Sequence, residues 1–312
     1  MRSQPQTTGP AWWAIATIVL VACGSDPSPA PPIAAAPAQG HGPSSPAEPA
    51  PTTEPTAPEG WTPPVLPTRS AGCGAPHASI RGATHKTAGG RTFHVWGPPG
   101  YDAARAYPVV LTYHGWYANG RDHQSWFEME KYVDDEALVV YPDAAGPTWD
   151  ISGETDLVAF DGMMKVLADA YCIDPSRVLA FGFSYGGKLV NHLGCKRAGY
   201  VKAISVGDGS WGGDGKACGR LPVLVTHRTR DNDELIAWGR EVRDRWTRLD
   251  GCAPERDVSD AEMRCETQRG CAAPGSVTFC EDTFFDASWP AEWNHTVRES
   301  YRLFTWRWFK AL

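Results

Sequence analysis

The chain has 312 residues, a formal net charge of −7 and 42% hydrophobic residues. This apolar fraction supports a globular core, and the length fits one large domain or two small ones. The acidic balance argues against a nucleic-acid-binding protein, which would carry a basic stripe. The 27 prolines and nine cysteines are unevenly distributed, and their positions divide the chain into three segments.

The first segment, residues 1–22, has the pattern of a secretory signal peptide. Its apolar run, residues 11–22, would span about 18 Å as a helix, which is short for a bilayer core of roughly 30 Å. The run leads into the sequence LVAC at residues 20–23, which resembles a bacterial lipobox. We therefore expect an exported lipoprotein that is attached to a lipid bilayer through Cys23, on the cell surface or facing the periplasm. An ordinary signal peptide or an uncleaved anchor is the alternative.

The second segment, residues 23–70, is rich in proline and alanine. Residues 24–70 hold 14 of the 27 prolines and only five charged side chains. Such a composition buries too little apolar area to offset chain entropy. The sequence therefore predicts an extended, disordered tether between the lipid anchor and a folded domain.

The third segment, residues 71–312, alternates between short apolar runs and amphipathic stretches. Five of the runs are typical of strands buried on both faces: 109–113, 138–141, 178–181, 203–206 and 223–226. Helical patterns cover 156–171 and 232–249, and the alternating segment 91–96 fits an antiparallel strand near a sheet edge. The pattern predicts one α/β domain whose mainly parallel sheet has helices on both faces.

The sharpest chemical motif is GFSYGG at residues 182–187, between a predicted strand and a predicted helix. A G-x-S-x-G sequence in this setting is a nucleophile elbow. A serine in so tight a turn needs neighbours without Cβ atoms, because strand and helix must approach each other closely. The motif predicts Ser184 as a nucleophile, with the backbone N–H of Tyr185 as one donor to the oxyanion.

A general base is expected downstream of Ser184, where the chain has three histidines. His295 lies on the loop before a predicted C-terminal helix at 298–312, which is where this topology delivers its base. His192 lies on the helix after the elbow, where a packed or solvated histidine is expected, and His227 ends a strand, where it can orient the next loop.

The acid of a triad is expected just after the strand at 223–226. Asp231 and Asp233 compete for this role, and Glu234 is a third, less favoured candidate. Asp231 is preferred because it is nearer the strand end, whereas Asp233 can cap the following helix.

Three further residues are candidates for contacts at the site. The strand at 109–113 leads into a His-Gly-Trp turn, where the backbone N–H of Trp116 is expected to be the second oxyanion donor. An ordinary glycine turn is the alternative. His114 and Trp293 are candidate substrate contacts. The side chains of Trp116 and Trp293, beside the oxyanion and base positions, are expected to line an aromatic or sugar-binding subsite.

The eight cysteines of the third segment predict disulfide bonds, because their number is even in an exported chain. They are Cys73, Cys172, Cys195, Cys218, Cys252, Cys265, Cys271 and Cys280. None forms a C-x-x-C pair, so no structural metal is expected. Short loops favour Cys195–Cys218 and Cys252–Cys265, and the segment 251–280 is expected to be a stapled loop near the site.

Three stretches resemble the polyhydroxybutyrate depolymerase and feruloyl esterase group of the α/β-hydrolase superfamily. They are YHG at 113–115, the run from IDPSRV to GFSYGG at 173–187, and WNHT at 293–296. The resemblance covers about residues 71–312. It implies the α/β-hydrolase fold and a Ser184, His295 and Asp231 triad that works without a metal. The group's His-Gly-Thr-x-Asp pattern stands here as HRTRD at 227–231, so Arg228 replaces a glycine.

The predicted function is that of a secreted serine esterase acting through an acyl-enzyme. The resemblance implies esters of hydroxyalkanoate oligomers, or hydroxycinnamoyl (feruloyl) esters of plant polysaccharide, as substrates. A serine peptidase or acyltransferase on the same fold would share the triad, and an inactive surface-binding module would keep the fold without turnover. A monomer that needs no cofactor and binds no nucleic acid is expected.

Overall fold

A computed structural model describes residues 62, 64–77, 80–284 and 294–312. All of these residues belong to one compact unit, Pro51–Leu312. The predicted signal peptide, Cys23, most of the predicted tether and Trp293 lie outside the described residues. Among the helices of the described part, none has the length and apolarity that a membrane crossing requires.

The described residues form a ten-stranded sheet in the order β1-β2-β4-β3-β5-β6-β7-β10-β9-β8. In chain order the strands are β1 (Arg81–Lys86), β2 (Thr92–Trp96), β3 (Tyr107–Tyr113), β4 (Leu138–Pro142), β5 (Ile173–Phe183), β6 (Ala203–Gly207), β7 (Pro222–Arg228), β8 (Arg256–Asp260), β9 (Cys265–Gln268) and β10 (Ser276–Asp282). The pairs from β4 through β3, β5, β6 and β7 to β10 are parallel. The outer pairs are antiparallel, so the mainly parallel sheet predicted from the sequence is confirmed.

Helices cover both faces of this sheet, as predicted. They are α1 (Gly120–Phe127), α2 (Thr155–Ala170), α3 (Tyr185–Arg197), α4 (Ile236–Leu249) and α5 (Glu299–Lys310). Successive side chains of a strand point to opposite faces, so Val109 and Leu111 enter a core with α2, α3 and α4. Val110 enters a second core with Phe127 of α1 and Trp306 of α5. Parallel strands buried on both faces explain the continuous apolar runs of the sequence.

The segment 251–280 is not the loop that the sequence predicts. It holds β8, β9 and most of β10, and β8 and β9 extend the sheet as an antiparallel edge. The side chains of β8 are mainly exposed. Its sequence RDVSD carries three charges in five residues, so a search for apolar runs does not detect it. Charged side chains are typical of strands at the edge of a sheet.

All eight cysteines of the domain form disulfide bonds, and one of the two predicted pairings is wrong. Cys195–Cys218 is confirmed and Cys73 pairs with Cys172. Cys252 pairs with Cys271 rather than with Cys265, which bonds to Cys280. The reason is register: Cys265 and Cys280 lie directly opposite each other on β9 and β10. Loop length alone does not reveal that pairing.

Candidate active site

Ser184 occupies a strained turn between β5 and α3. Its φ and ψ angles are 54° and −119°, a left-handed region that non-glycine residues rarely adopt. A Cβ atom on Gly182 would lie 2.1 Å from the carbonyl oxygen of Gly186, and one on Gly186 would lie 2.2 Å from that of Tyr113. Glycine is therefore required at both positions, as the elbow motif implies.

The turn after β3 packs directly against Ser184. A Cβ atom on Gly115 would lie 3.3 Å from the Cβ atom of Ser184. Trp116 follows in this turn, and the backbone N–H of Tyr117 donates to the carbonyl of Pro147 at 3.0 Å. Tyr185 begins α3 immediately after the nucleophile. The two predicted oxyanion donors thus belong to the two backbone segments that meet at Ser184.

His295 and Asp231 form a short, buried pair beside the elbow. The Nδ1 atom of His295 lies 2.6 Å from the Oδ2 atom of Asp231, and the side chains are 14% and 0% exposed. The His295 ring lies 4.7 Å, centroid to centroid, from that of Phe183, the residue before Ser184. The structure therefore places the pair of His295 and Asp231 beside Phe183, the residue that precedes Ser184.

The electrostatics of His295 fit a general base. Burial alone would lower its pKa, but the hydrogen bond to Asp231 and the charge of that carboxylate raise it above the ordinary value. Nδ1 donates to Asp231, so Nε2 of the neutral ring is the nitrogen that can accept a proton.

Asp231 is fixed by its own loop. Its Oδ1 atom accepts the backbone N–H groups of Asp233 at 2.8 Å and Glu234 at 2.9 Å. Asp233 is exposed; besides this backbone donor, its charge makes the smallest of the contributions that raise the pKa of His295. In this arrangement Asp231, not Asp233, faces His295.

The other two downstream histidines contact backbone groups. His227 is fully buried, and its Nε2 atom lies 2.7 Å from the carbonyl oxygen of Glu234, which orients the loop after β7. The Nε2 atom of His192 lies 2.9 Å from the carbonyl oxygen of Gly153. His192 is buried, so it is packed rather than solvated.

His114 does not occupy the position of a substrate contact. Its side chain is fully buried, with Nδ1 2.7 Å from the carbonyl oxygen of Gly115 and the ring 4.5 Å from that of Trp149. Burial lowers its pKa, so a neutral ring that donates to Gly115 is expected. The predicted contact is corrected to a role in shaping the turn at Gly115. Trp293, the other candidate, lies outside the described residues.

Arg228, which stands where the resembling group has glycine, is accommodated inside the protein. Only 2% of it is exposed, and its Nη2 atom donates to the carbonyl of Phe284 at 3.1 Å. Asp282, at the end of β10, accepts two hydrogen bonds from Arg298 at 2.6 and 2.8 Å and the backbone N–H of Thr229 through its carbonyl. Asp282 thus ties the loop of Asp231 to the segment of His295, a contact that the sequence analysis missed.

A second buried acid, Asp208, also escaped the sequence analysis. Together with His227 and Asp231 it forms a cluster in which one polar atom of each side chain lies within 4.8 Å of the others. Such a cluster has the residue types of a metal site. However, both oxygens of Asp231 already accept hydrogen bonds, so a cation there would compete with His295.

Aromatic side chains lie on the two backbone segments next to Ser184. Trp116 is 58% exposed and Tyr117 is 78% exposed, and their rings stack with centroids 5.7 Å apart and planes at 18°. The Tyr185 ring lies 5.5 Å from that of Trp116. Large exposed rings beside a nucleophile form a surface suited to planar or ring-shaped ligands.

Known proteins with similar sequences are feruloyl esterases. The chain is 30% identical over 233 residues to the probable feruloyl esterase C of Aspergillus clavatus, covering 69% of this chain and 83% of that protein. It is 38% identical over 120 residues to feruloyl esterase D of Neurospora crassa, a match that spans 38% of this chain and only 41% of that relative. No protein-family model matches the chain.

Solved structures support the fold. The chain superposes on an acetyl xylan esterase from Aspergillus awamori with a TM-score of 0.53 at 15% identity, covering 70% of this chain and 94% of that one. A Bacillus cereus carboxylesterase gives a TM-score of 0.50 at 15% identity, covering 71% of this chain and 94% of that one.

Four disulfide bonds further indicate an oxidising compartment outside the cytosol. The chain belongs to the feruloyl esterase family of the α/β-hydrolase fold, and it is an exported carboxylic ester hydrolase.

Proposed function

We propose that this hydrolase is a serine esterase in which Ser184, His295 and Asp231 form the catalytic triad. The observation that carries the proposal is the 2.6 Å contact between His295 and the buried Asp231, next to a serine held in a strained elbow. A nucleophile, a base and an orienting acid in this order have the geometry of acyl transfer.

The reaction runs in two steps through an acyl-enzyme. Nε2 of His295 takes the proton of Ser184 as Oγ attacks the ester carbonyl, and Asp231 stabilises the imidazolium that forms. When the tetrahedral intermediate collapses, His295 returns the proton to the leaving alcohol. Water, activated by the same histidine, then attacks the acyl group and releases the acid and free Ser184.

The backbone N–H groups of Tyr185 and Trp116 stabilise the negative oxygen of the intermediate. Tyr185 begins α3, so its amide is one of the donors that an α-helix leaves without an intrahelical partner. Trp116 follows Gly115, which packs against Ser184. The buried His114 ring contacts the carbonyl of Gly115 and keeps this turn in place.

The substrate class favoured is the hydroxycinnamoyl ester rather than the hydroxyalkanoate oligomer. The stacked Trp116 and Tyr117 rings offer a flat surface to the aromatic acyl group or to a sugar ring. A hydroxyalkanoate has no ring to stack there. The feruloyl esterase names of the relatives agree with this preference.

Anchoring remains part of the proposal on sequence grounds alone. Acylation of Cys23 and a proline-rich tether over residues 23–70 would hold the hydrolase away from a bilayer, at the cell surface or facing the periplasm. A tethered enzyme of this kind can reach a polymeric substrate that does not enter the cell.

The test of the triad is the variant Ser184→Ala. We expect it to lower the turnover of methyl ferulate and p-nitrophenyl acetate by at least about a thousandfold and to abolish labelling by a fluorophosphonate. The matched control is Ser125→Ala, which removes an exposed hydroxyl from α1 and should keep both activities. Turnover or labelling that survives in Ser184→Ala would contradict the serine mechanism.

The test of the substrate class is Tyr117→Asn. Asparagine tolerates the left-handed backbone that Tyr117 adopts at φ 55°, so only the ring is lost. An aromatic contact of about 1 kcal/mol predicts a KM for methyl ferulate about fivefold higher, with p-nitrophenyl acetate little affected. Tyr200→Asn removes another exposed ring and serves as the control. Equal effects of the two variants, or faster turnover of a hydroxybutyrate oligomer, would overturn the preference.

A further inference from the structure

Asp208 directly follows β6, on a segment whose backbone packs against the nucleophile elbow. Immediately before it, the carbonyl of Gly207 accepts the backbone N–H of Ser184 at 2.9 Å. Immediately after it, Gly209 packs so closely that an added Cβ atom would lie 2.9 Å from the carbonyl oxygen of Ser184. The backbone on both sides of Asp208 therefore supports the elbow.

The side chain of Asp208 reaches the other way, to the start of the loop that carries Asp231. Its backbone N–H donates to the carbonyl of Thr226 at 2.9 Å, and its Oδ1 atom accepts the backbone N–H of Arg228 at 2.7 Å. The backbone pairing of β6 with β7 ends at Gly207 and Thr226. Beyond that point, the Oδ1 atom of Asp208 takes the place of a backbone carbonyl and accepts the N–H of Arg228. Asp208 therefore joins the elbow that holds Ser184 to the start of the loop that holds Asp231.

The backbone of Asp208 is strained in order to make this connection. Its φ angle is 43°, in the left-handed region that glycine adopts freely and that aspartate tolerates better than most residues. Glycine would relieve the strain but could not accept the Arg228 amide. The position therefore combines a glycine-like conformation with an acceptor that only a side chain can provide.

The surroundings of Asp208 leave room for only one negative charge. Asp208 is 1% exposed and Asp231 is 3% exposed. One carboxyl oxygen of each lies within 4.8 Å of the other. The titratable groups that surround Asp208 are His227 and Arg228 of β7, Asp231, His295 and Tyr301 of α5. The charge of one buried carboxylate disfavours ionisation of another this close to it.

Asp231 is the member of the pair that carries the charge. It accepts two backbone N–H groups and the Nδ1–H of His295, which are contacts that favour an ionised carboxylate. Burial, and then the charge of Asp231, raise the pKa of Asp208 well above its ordinary value. Asp208 is therefore the group that keeps its proton.

We propose that Asp208 is a positioning residue of the catalytic centre. It is a neutral carboxylic acid that holds the start of the acid loop through the Arg228 amide and leaves the charge facing His295 on Asp231. This inference rests on the proposed triad. It explains how a second acid can lie beside the triad without competing for the histidine.

The test compares Asp208→Asn with Asp208→Leu in the full chain. Asparagine reproduces a neutral group with an Oδ1 acceptor, whereas leucine leaves the Arg228 amide without that partner. We expect Asp208→Leu to lower kcat for methyl ferulate by about tenfold to a hundredfold, with KM changed less. We expect Asp208→Asn to recover most of that loss and to leave the acidic limb of its kcat/KM profile at the wild-type pH.

A second measurement reports the proton directly and does not depend on activity. The infrared difference spectrum of wild type minus Asp208→Asn at pH 7 should contain the C=O stretch of a protonated carboxylic acid. This spectrum decides the proposal if Asp208→Leu fails to fold.

Three results would overturn the proposal. They are an acidic limb that moves to lower pH by a unit or more in Asp208→Asn, a missing carboxylic-acid band, and equal kcat values for the leucine and asparagine variants. Failure of the triad itself is recognised separately, because Ser184→Ala would then remain active while the infrared band is still present.

Discussion

The assignment of Asp231 over Asp233 can be tested with two isosteric substitutions only two positions apart. Asp231→Asn removes the charge that faces His295 at 2.6 Å but keeps the size of the side chain. For two unit charges about 4 Å apart, an effective dielectric constant of 20 gives an interaction energy of roughly 4 kcal/mol. Since 1.36 kcal/mol is a tenfold change in rate, kcat should fall by about a thousandfold.

The pH dependence gives a second, independent readout of the same substitution. His295 is active when neutral, so activity is lost as the pH falls through its pKa. In the wild type this acidic limb should lie above pH 6.5, the ordinary value, because Asp231 outweighs the effect of burial. Asp231→Asn removes the carboxylate that raises the pKa of His295 but leaves the ring buried, so the pKa of His295 should fall. The acidic limb of the activity that remains should therefore move to lower pH.

Asp233→Asn is the matched control. Its side chain is exposed and its backbone N–H, which donates to Asp231, is retained. We expect kcat within about twofold of the wild type. A loss in Asp233→Asn as large as that in Asp231→Asn, or an acidic limb that does not move in Asp231→Asn, would refute the electrostatic reasoning.

Two further predictions concern stability. Replacing Cys73 and Cys172, which are 99 positions apart, by alanine should lower the free energy of unfolding by about 4.7 kcal/mol. The same replacement of Cys265 and Cys280, which are 15 positions apart, should lower it by about 3 kcal/mol. Equal losses in urea titrations would contradict the argument that the longer loop gains more from its disulfide. Burial raises the pKa of Asp250 to about 8 in the folded protein, whereas its pKa in the unfolded chain is about 3.9. The stability that the neutral carboxyl group contributes is therefore fully present below about pH 3.9 and is lost as the pH rises to about 8. The Tm of Asp250→Asn should therefore fall less than that of the wild type between pH 4 and 8, and parallel Tm profiles would refute this.

The central part of the fold could be predicted because its signals are local. The strands at 109–113, 178–181 and 223–226 each lie inside an observed strand, since a strand buried on both faces is apolar throughout. The elbow could be located for a similar reason, because Gly182 and Gly186 are dictated by backbone contacts within a few residues of Ser184 and with β3.

What could not be predicted depends on contacts between distant parts of the chain. The pairing of Cys265 with Cys280 follows from the register of β9 and β10, and β9 carries no apolar run in the sequence. The burial of His114 follows from its contact with Trp149, 35 positions away. A histidine before a glycine turn has the same local sequence whether it faces substrate or the interior.

Asp208 shows the same limit at the catalytic centre. In the sequence it is one aspartate between two glycines after a strand, a pattern typical of an ordinary turn. Its role emerges only when β6 and β7 lie side by side, because parallel neighbours bring their carboxyl ends to one edge of the sheet. The same topology delivers Ser184 after β5 and Asp231 after β7, with β6 between them. The residue that directly follows β6 therefore lies between nucleophile and acid, and the proposed neutral state of Asp208 leaves the charge that faces His295 on Asp231.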